Sequence, residues 1–293
     1  MNFMKYTWLW FLISGILIVP GLIALMTWGL QFGIDFRGGT LMEIQPSGGV
    51  TRAQIEQVFA NQAITTSAIQ DGGQGSFIIR FEPVDQAKIT ELRGALKQTV
   101  GDYTEDRFET VGPTISRDLT QKAILAIILA VIAIILYIAA AFSGLPRPAS
   151  SWKFGFSAVL ALIHDLIFTI GAFSILGHFF SYEVDALFIT ALLTVMGFSV
   201  HDTIVVFDRI RENLKRSPSR SFADTANLSL GQTLARSLAT SLTVIFVLLA
   251  LFLLGGETTK PFVAALLLGV TIGTYSSIFN ATPLVALWHR TRS

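Results

Sequence analysis

The chain alternates between long apolar runs and short polar breaks. The apolar runs are Thr7–Leu30, Lys122–Phe142, Phe154–Phe179, Val184–Phe207, Leu230–Leu254 and Pro261–Trp288. An α-helix rises 1.5 Å per residue, so roughly 20 apolar residues cross a hydrocarbon layer about 30 Å thick. Each run meets that length, and six spanning helices are predicted. The first run follows Lys5 but exceeds the core of a secretory leader, and no small-x-small site follows it. It reads as a retained anchor, with Pro20 tolerated inside a membrane helix.

Residues 31–121, between the first two runs, follow a different pattern. Thr40–Gln45 alternates like a strand and ends at Pro46 and Gly48-Gly49. Thr51 is placed to cap a helix over Arg52–Phe59, with Ile55, Val58 and Phe59 on one face. A short polar strand over Ser67–Gln70 turns at Asp71-Gly-Gly73 into Ser76–Phe81. A second helix, Asp85–Val100, buries Ile89, Leu92, Ala95 and Leu96, and Asp106–Val111 closes the series. The order strand, helix, strand, strand, helix, strand is the ferredoxin-like split βαβ arrangement. The predicted fold class is therefore an α-helical polytopic membrane protein with a small α+β (βαββαβ) extracytoplasmic domain. Its divisions are a first transmembrane helix at 1–30, the ferredoxin-like domain at 31–121, and a five-helix membrane region at 122–293.

Charge sets the expected orientation. Short flanks on one side carry Lys5, Arg147, Lys153, Arg209, Arg211, Lys215, Arg216, Arg220, Arg290 and Arg292. The opposite links carry Glu183, Asp185 and Glu257 against Lys260. By the positive-inside rule both termini are cytoplasmic and residues 31–121 lie outside. A basic cytoplasmic link is expected over 208–229, broken at Ser217-Pro-Ser219, with a short surface helix over Ser221–Leu230. A solvated charge run and a docking strip for a cytoplasmic partner are both compatible with it.

Composition narrows the chemistry. The net charge is +1, which points to neither nucleic acid nor an acidic substrate, and there is no cysteine for a disulfide or thiolate site. The phosphate-cradling G-x-x-x-x-G-K-[ST], the H-E-x-x-H zinc helix and the G-x-S-x-G elbow are all absent, and four scattered histidines form no ligand set. No enzymatic activity, cofactor or metal is expected. What stands out instead is ionisable groups inside apolar runs: Asp165 in the third, Asp202 in the fourth and Arg236 near the start of the fifth. A carboxylate at the centre of a membrane helix costs about 2.5–3.5 kcal/mol on insertion scales, so such groups face protein or water and commonly move charge.

Counting rise per residue puts Asp202 about 24 Å in from Ala186, and Arg236 about 27 Å from the same surface at Leu254. The two are therefore expected to pair between antiparallel helices. Burial favours a neutral carboxyl, whereas a nearby guanidinium favours a charged one. Helix movement that changes their separation would load and unload a proton, with Asp202 as carrier and Arg236 resetting it. Arg236 as a snorkelling anchor, and Asp202 as a structural pair, are the plainer alternatives. His164 and Asp165 are either a secondary proton site or a polar pair joining helices, and His201 points about 100° from Asp202. Gly269, Gly273 and Ser277, with Ser237, Thr240, Ser241 and Thr243, form small faces for close packing. Asn280 and Thr282 are candidates to line a wet path.

Several motifs in order carry a family resemblance. Gly33-Ile-Asp-Phe-Arg-Gly-Gly-Thr40, Val111-Gly-Pro113, Ala161-Leu-Ile-His-Asp165 and the long stretch Gly197–Asn213 resemble those of the SecD/SecF proteins. The last is closest to the SecF branch, as are the single small outside domain and six spans. The first motif makes Gly33, Asp35, Arg37, Gly38 and Gly39 a family-signature loop. The resemblance implies a membership of the resistance-nodulation-division superfamily and a place in the bacterial inner membrane. It implies partnership with SecD, association with the SecYEG channel and YajC, contact with translocating preproteins and lipids, and use of the proton motive force. By motif, Asp202 and Arg236 match the family's proton-pathway residues. One departure is His201, where the family commonly has Asn, which alters the hydrogen bonding and pH response expected beside Asp202. H⁺ and Na⁺ are both chemically open as coupling ion. A half-transporter for a lipid or small molecule, and a passive scaffold, are the competing readings.

Overall fold

A computed structural model describes residues 3–73, 75–142, 151–217 and 219–290, so Arg147, Pro218 and Arg292 fall outside the described residues. The chain divides into two units, Met1–Gln31 with Leu125–Gly255 and Thr259–Ser293, and Phe32–Ile124 with Gly256–Thr258.

The smaller unit opens with a one-turn helix, α2 (Ile34–Arg37), then β1 (Gly39–Pro46), α3 (Arg52–Asn61), β2 (Thr66–Gly73), β3 (Ser76–Phe81), α4 (Gln86–Val100) and β4 (Tyr103–Val111). The strands pair antiparallel in the order β2-β3-β1-β4, the ferredoxin-like arrangement expected from the sequence. Strand β2 is longer than its polar sequence suggests. Asp71 to Gly73 belong to it rather than to the turn, and Gly73 and Gly75 take the positive φ values around the reversal. Cross-strand pairing with the strongly apolar β3 overrides the weak propensity of β2. A register shift between Glu43 and Ile44 leaves Asp106 of β4 as the extra residue of a bulge.

Capping fixes where the helices begin. The Thr51 backbone N–H donates to the Gln54 Oε1 at 2.9 Å, and Asp85 Oδ1 accepts from the Lys88 N–H at 2.8 Å. Both helices lay their apolar stripes on one sheet face, where Met42, Ile44, Ile55, Ile79, Leu92 and Leu96 are wholly buried. Arg93 of α4 forks onto Glu105 of β4 at 2.8 and 2.6 Å, and its guanidinium lies 4.9 Å from the Phe108 ring. Glu105 holds the Arg93 guanidinium above its ordinary range. Because Leu92 packs in a dense core, Leu92→Ala should cost about 2–5 kcal/mol. Limited proteolysis of the intact chain should then cut this unit at a lower temperature than in the wild type.

The larger unit holds the apolar helices: α1 (Thr7–Thr27), the membrane part of α5 (Pro113–Ala141), α6 (Ser151–Phe180), α7 (Ala186–Arg216), α8 (Phe222–Leu254), α9 (Lys260–Ser276) and α10 (Thr282–Arg290). A π-helical turn, Ser277–Ala281, joins α9 to α10, so these form the sixth span. Thr282 Oγ1 donates to the Ser277 carbonyl at 3.3 Å and occupies an acceptor that the π turn releases. All six expected runs are helices long and apolar enough to cross a membrane.

Their ends correct the sequence reading. Helix α7 continues to Arg216 and α8 begins at Phe222, so the broad link expected over 208–229 is mostly helix. The separate surface helix expected over Ser221–Leu230 is the first part of α8. Ser221 caps it, its Oγ accepting from the Asp224 N–H at 3.1 Å. Hydropathy marks where a helix leaves lipid, not where it ends; ion pairs such as Arg211 with Asp208 and Arg216 with Glu212 continue α7 into water.

Close backbone contacts set the packing. A Cβ on Gly171 of α6 would lie 2.7 Å from Gly21 Cα of α1, and one on Gly21 would lie 2.9 Å from Gly171 Cα. A Cβ on Gly269 of α9 would fall 2.2 Å from Val195 Cγ2 of α7. The small face predicted on the sixth span is thus the one that meets α7.

Candidate functional site

The signature loop is built from two glycines. Gly38 and Gly39 follow α2 with φ of 76° and 137°, a region that side chains disfavour, and lead directly into β1. A Cβ on Gly39 would meet the Phe81 carbonyl at 3.1 Å, and one on Gly38 the Val111 carbonyl at 3.3 Å. The motifs at Gly33–Thr40 and Val111–Pro113 therefore meet in space. Asp35 and Arg37 stand in the second and last positions of the one-turn helix between Gly33 and Gly38.

Two carboxyl groups of the membrane helices, Asp202 and Asp165, lie around α9. Asp202, on the buried stripe of α7, is 3% exposed. Ser241 Oγ of α8 donates to its Oδ2 at 3.3 Å, and Thr274 Oγ1 of α9 donates in turn to Ser241 at 2.7 Å. Asp165 of α6 is wholly buried and more tightly held. His164 Nδ1 lies 2.9 Å from its Oδ1, while Ser199 Oγ of α7 and Ser276 Oγ of α9 approach Oδ2 at 2.5 and 2.7 Å. The same seam continues as Ser277 Oγ donates to the Ser199 carbonyl at 3.1 Å and Thr203 Oγ1 donates to Ser277 Oγ at 3.0 Å. Hydroxyls, with a single imidazole, supply the partners that burial of two carboxyl groups demands.

Arg236 stands elsewhere. It is exposed on α8 and forms no ion pair with Asp202 among the described residues, so the pairing expected from depth is not made in this chain. The level of Asp202 on α8 is set by Ser241. Arg236 is five residues before it, about 140° around the helix and about 7.5 Å along it. Equal counts from the surface gave approximate height and no information on direction. His201 is also exposed, consistent with a side chain turned from that of Asp202 by one helical step.

Asn280 is buried, and its Oδ1 accepts from Ser14 Oγ of α1 at 2.9 Å. Ser14 also lies 3.4 Å from the Tyr275 hydroxyl, which donates to the Trp10 carbonyl at 2.7 Å. The carboxyl-binding hydroxyls of Ser199 and Ser276, and Thr274 behind Ser241, were not singled out in the sequence. Their signal was available as hydroxyl residues at helical spacing inside apolar runs, with Ser199 three residues before Asp202. No group of three or more metal-ligating side chains is present among the described residues.

Comparison with known proteins gives one consistent result. The family model described as SecD/SecF GG Motif matches residues 23–50, and that described as Protein export membrane protein SecD/SecF, C-terminal, matches residues 91–291. The protein translocase subunit SecF of Thermobaculum terrenum is 43% identical, over 98% of this chain and 93% of its own length. That of Anaerolinea thermophila is 41% identical, over 98% and 94%. The crystal structure of SecDF, a translocon-associated membrane protein from Thermus thermophilus, superposes with a TM-score of 0.87 at 31% identity. The match covers all of this chain and 39% of that one. A crystal structure of SecDF in a super-membrane-facing form matches at a TM-score of 0.71 and 32% identity, with the same coverage.

Proposed function

From the premise that this chain belongs to the SecD/SecF protein-export family, we propose that it is a non-enzymatic accessory subunit of Sec export that couples an ion gradient to late movement of the exported chain. It pairs with SecD and works beside the SecYEG channel, with YajC as a further neighbour and translocating preprotein as client. It sits in the bacterial inner membrane with both termini cytoplasmic and the ferredoxin-like unit outside. The membrane-spanning character follows from the six apolar helices; the side assignment rests on the basic flanks.

The observation that carries the coupling is Asp202, buried at membrane depth with a long hydroxyl contact and no cation within ion-pair distance among the described residues. A carboxyl so loosely held changes its proton affinity when the surrounding helices shift, since little else fixes its state. Arg236 then acts across the subunit boundary. An uncovered guanidinium in hydrocarbon is expensive, so a protein surface carrying an acceptor is its natural cover. The partner supplies that surface and a further acidic group, which makes the relay a property of two chains.

A lipid- or drug-exporting half-transporter is less well served. One depression of about 400 Å³ in the outer unit is lined by Arg93, Lys97, Asp102, Tyr103 and Glu105, a charged wall unsuited to an acyl chain. Client release into sealed vesicles, with an H⁺ gradient, an Na⁺ gradient or neither, tests the proposal. Release should respond to the H⁺ gradient when this chain and SecD are both present and fall to background without SecD. Gradient-driven release by the lone chain, or indifference to both gradients, would exclude it.

A further inference from the structure

Asp165 is held differently from Asp202, and the difference has a mechanical meaning. Its carboxyl is contacted from three helical elements: His164 Nδ1 of α6 lies against Oδ1, and the hydroxyls of Ser199 of α7 and Ser276 of α9 donate to Oδ2. Both serine hydroxyls converge on the one oxygen Oδ2, an arrangement suited to an ionised carboxylate, which only accepts. A proton placed on Oδ2 makes that oxygen a donor, so at least one of the two serine contacts must then turn round or part. The close seat of α9 on α7 is set by Gly273, whose Cβ would lie 3.0 Å from Ser199 Cβ. The Ser199 hydroxyl is thus at the crossing itself. His164 Nε2 is buried and makes no hydrogen bond among the described residues, and the ring centroid lies 6.5 Å from that of Tyr275.

We propose that Asp165 and His164 form a second proton-binding site, whose ionised carboxylate clamps α7 and α9 against α6 and whose protonated form releases the clamp. Asp165 is on this view a positioning residue, and the idea rests on the coupling role proposed for Asp202. The titratable groups on the elements packed against it are few. Near its level, helix α6 contributes His164, α7 contributes Asp202 and the outward-facing His201, and α9 contributes Tyr275; Lys153, His178, Lys260 and the charged stretch Asp208–Arg216 lie toward the helix ends. Helix α1 carries none, the π turn none, and α10 has His289 and Arg290 at its far end. Both carboxyl groups reach α9 through hydroxyls, Asp202 by way of Thr274 and Asp165 by way of Ser276, so one helix senses both.

The chain has no native cysteine, so two spin labels can be placed without background. Thr190 of α7 and Thr271 of α9 are exposed and serve as label sites in the complex with SecD in vesicles. The α7–α9 distance distribution should be narrow at high pH and broaden or lengthen as pH falls. Asp165→Asn should show the loose distribution at every pH and lose at least tenfold of the gradient-stimulated export. His164→Gln should keep the transition but move its midpoint. Asp202→Asn should retain the transition while losing export, which separates the clamp from the relay. A pH-independent distance in the wild type, an Asp165→Asn variant with a wild-type transition, or an unmoved midpoint in His164→Gln would each overturn the proposal. Gradient-driven export surviving in Asp202→Asn would instead overturn the relay, with the distance measurement still deciding the clamp.

Discussion

Replacing Asp202 by Asn is expected to abolish gradient-stimulated export while leaving the helices in place. The exchange keeps side-chain volume, and the amide oxygen can still accept from Ser241 Oγ, whose contact in the wild type is 3.3 Å. Packing around α7 should therefore hold, and the variant should insert, bind SecD and unfold at close to the wild-type temperature. What is lost is the capacity to bind and release a proton at that depth. One charge crossing 100 mV is worth about 2.3 kcal/mol, roughly a fiftyfold bias in an equilibrium. The gradient-dependent part of client release should accordingly fall by at least about tenfold and approach the rate without a gradient. Release measured in sealed vesicles from wild type and Asp202→Asn, at matched complex levels, checks this. Persisting gradient stimulation in the Asn variant would mean that the carboxyl at 202 is a packing element and that a scaffold reading is correct.

The second large effect is structural. Gly171→Leu should disrupt the crossing of α1 and α6, because even the first added carbon would lie 2.7 Å from Gly21 Cα and 2.9 Å from its carbonyl carbon. Both are backbone atoms, so no side chain can swing aside to make room. Overpacking of this kind typically costs about 1–3 kcal/mol, and leucine adds three further carbons to the clash. Membrane helices have no hydrophobic drive toward one another, so loss of intimate packing is not compensated elsewhere. Thermal unfolding of the purified complex should drop markedly for Gly171→Leu and less for Gly171→Ala. Gly197→Ala, where an added Cβ meets nothing within 4 Å, should be close to neutral and serves as control. Equal behaviour of the two alanine variants would refute the packing argument.

These expectations show which parts of the molecule were legible in the sequence. The outer unit was readable element by element because period-2 and period-3.6 patterns, caps and glycine turns agree with each other there. One misreading there, the Asp71–Gly73 stretch, was a strand stabilised by its neighbour rather than by its own residues; another was β4, which starts at Tyr103 rather than Asp106. The spans were readable as lengths but not as ends, since charged turns such as Asp208–Arg216 extend a helix that hydropathy treats as finished. The Gly21–Gly171 contact was not readable at all. Isolated glycines give no periodic signal, and which helices cross is a tertiary fact.

The polar centre divides in the same way. That Asp165 and Asp202 belong to a buried core was legible from the cost of placing them in apolar runs. Their actual partners depend on azimuth, and rise per residue is silent about azimuth. Arg236 shows the limit most clearly, because similar counted depths suggested a pairing that an offset of about 7.5 Å and a turn of about 140° disfavour.

The uninterrupted course of α8 has a consequence beyond packing. From Phe222 to Leu254 the helix contains no proline and a single glycine, Gly231, so its 33 residues act as one rod roughly 50 Å long. A stiff rod carries a tilt or a rotation applied at one tip to the other with little lost in between. Two short segments joined by a loose corner would absorb the same motion. Torque arising at the level of Ser241 therefore reaches both tips of the rod together, and a push against one tip is felt at the other.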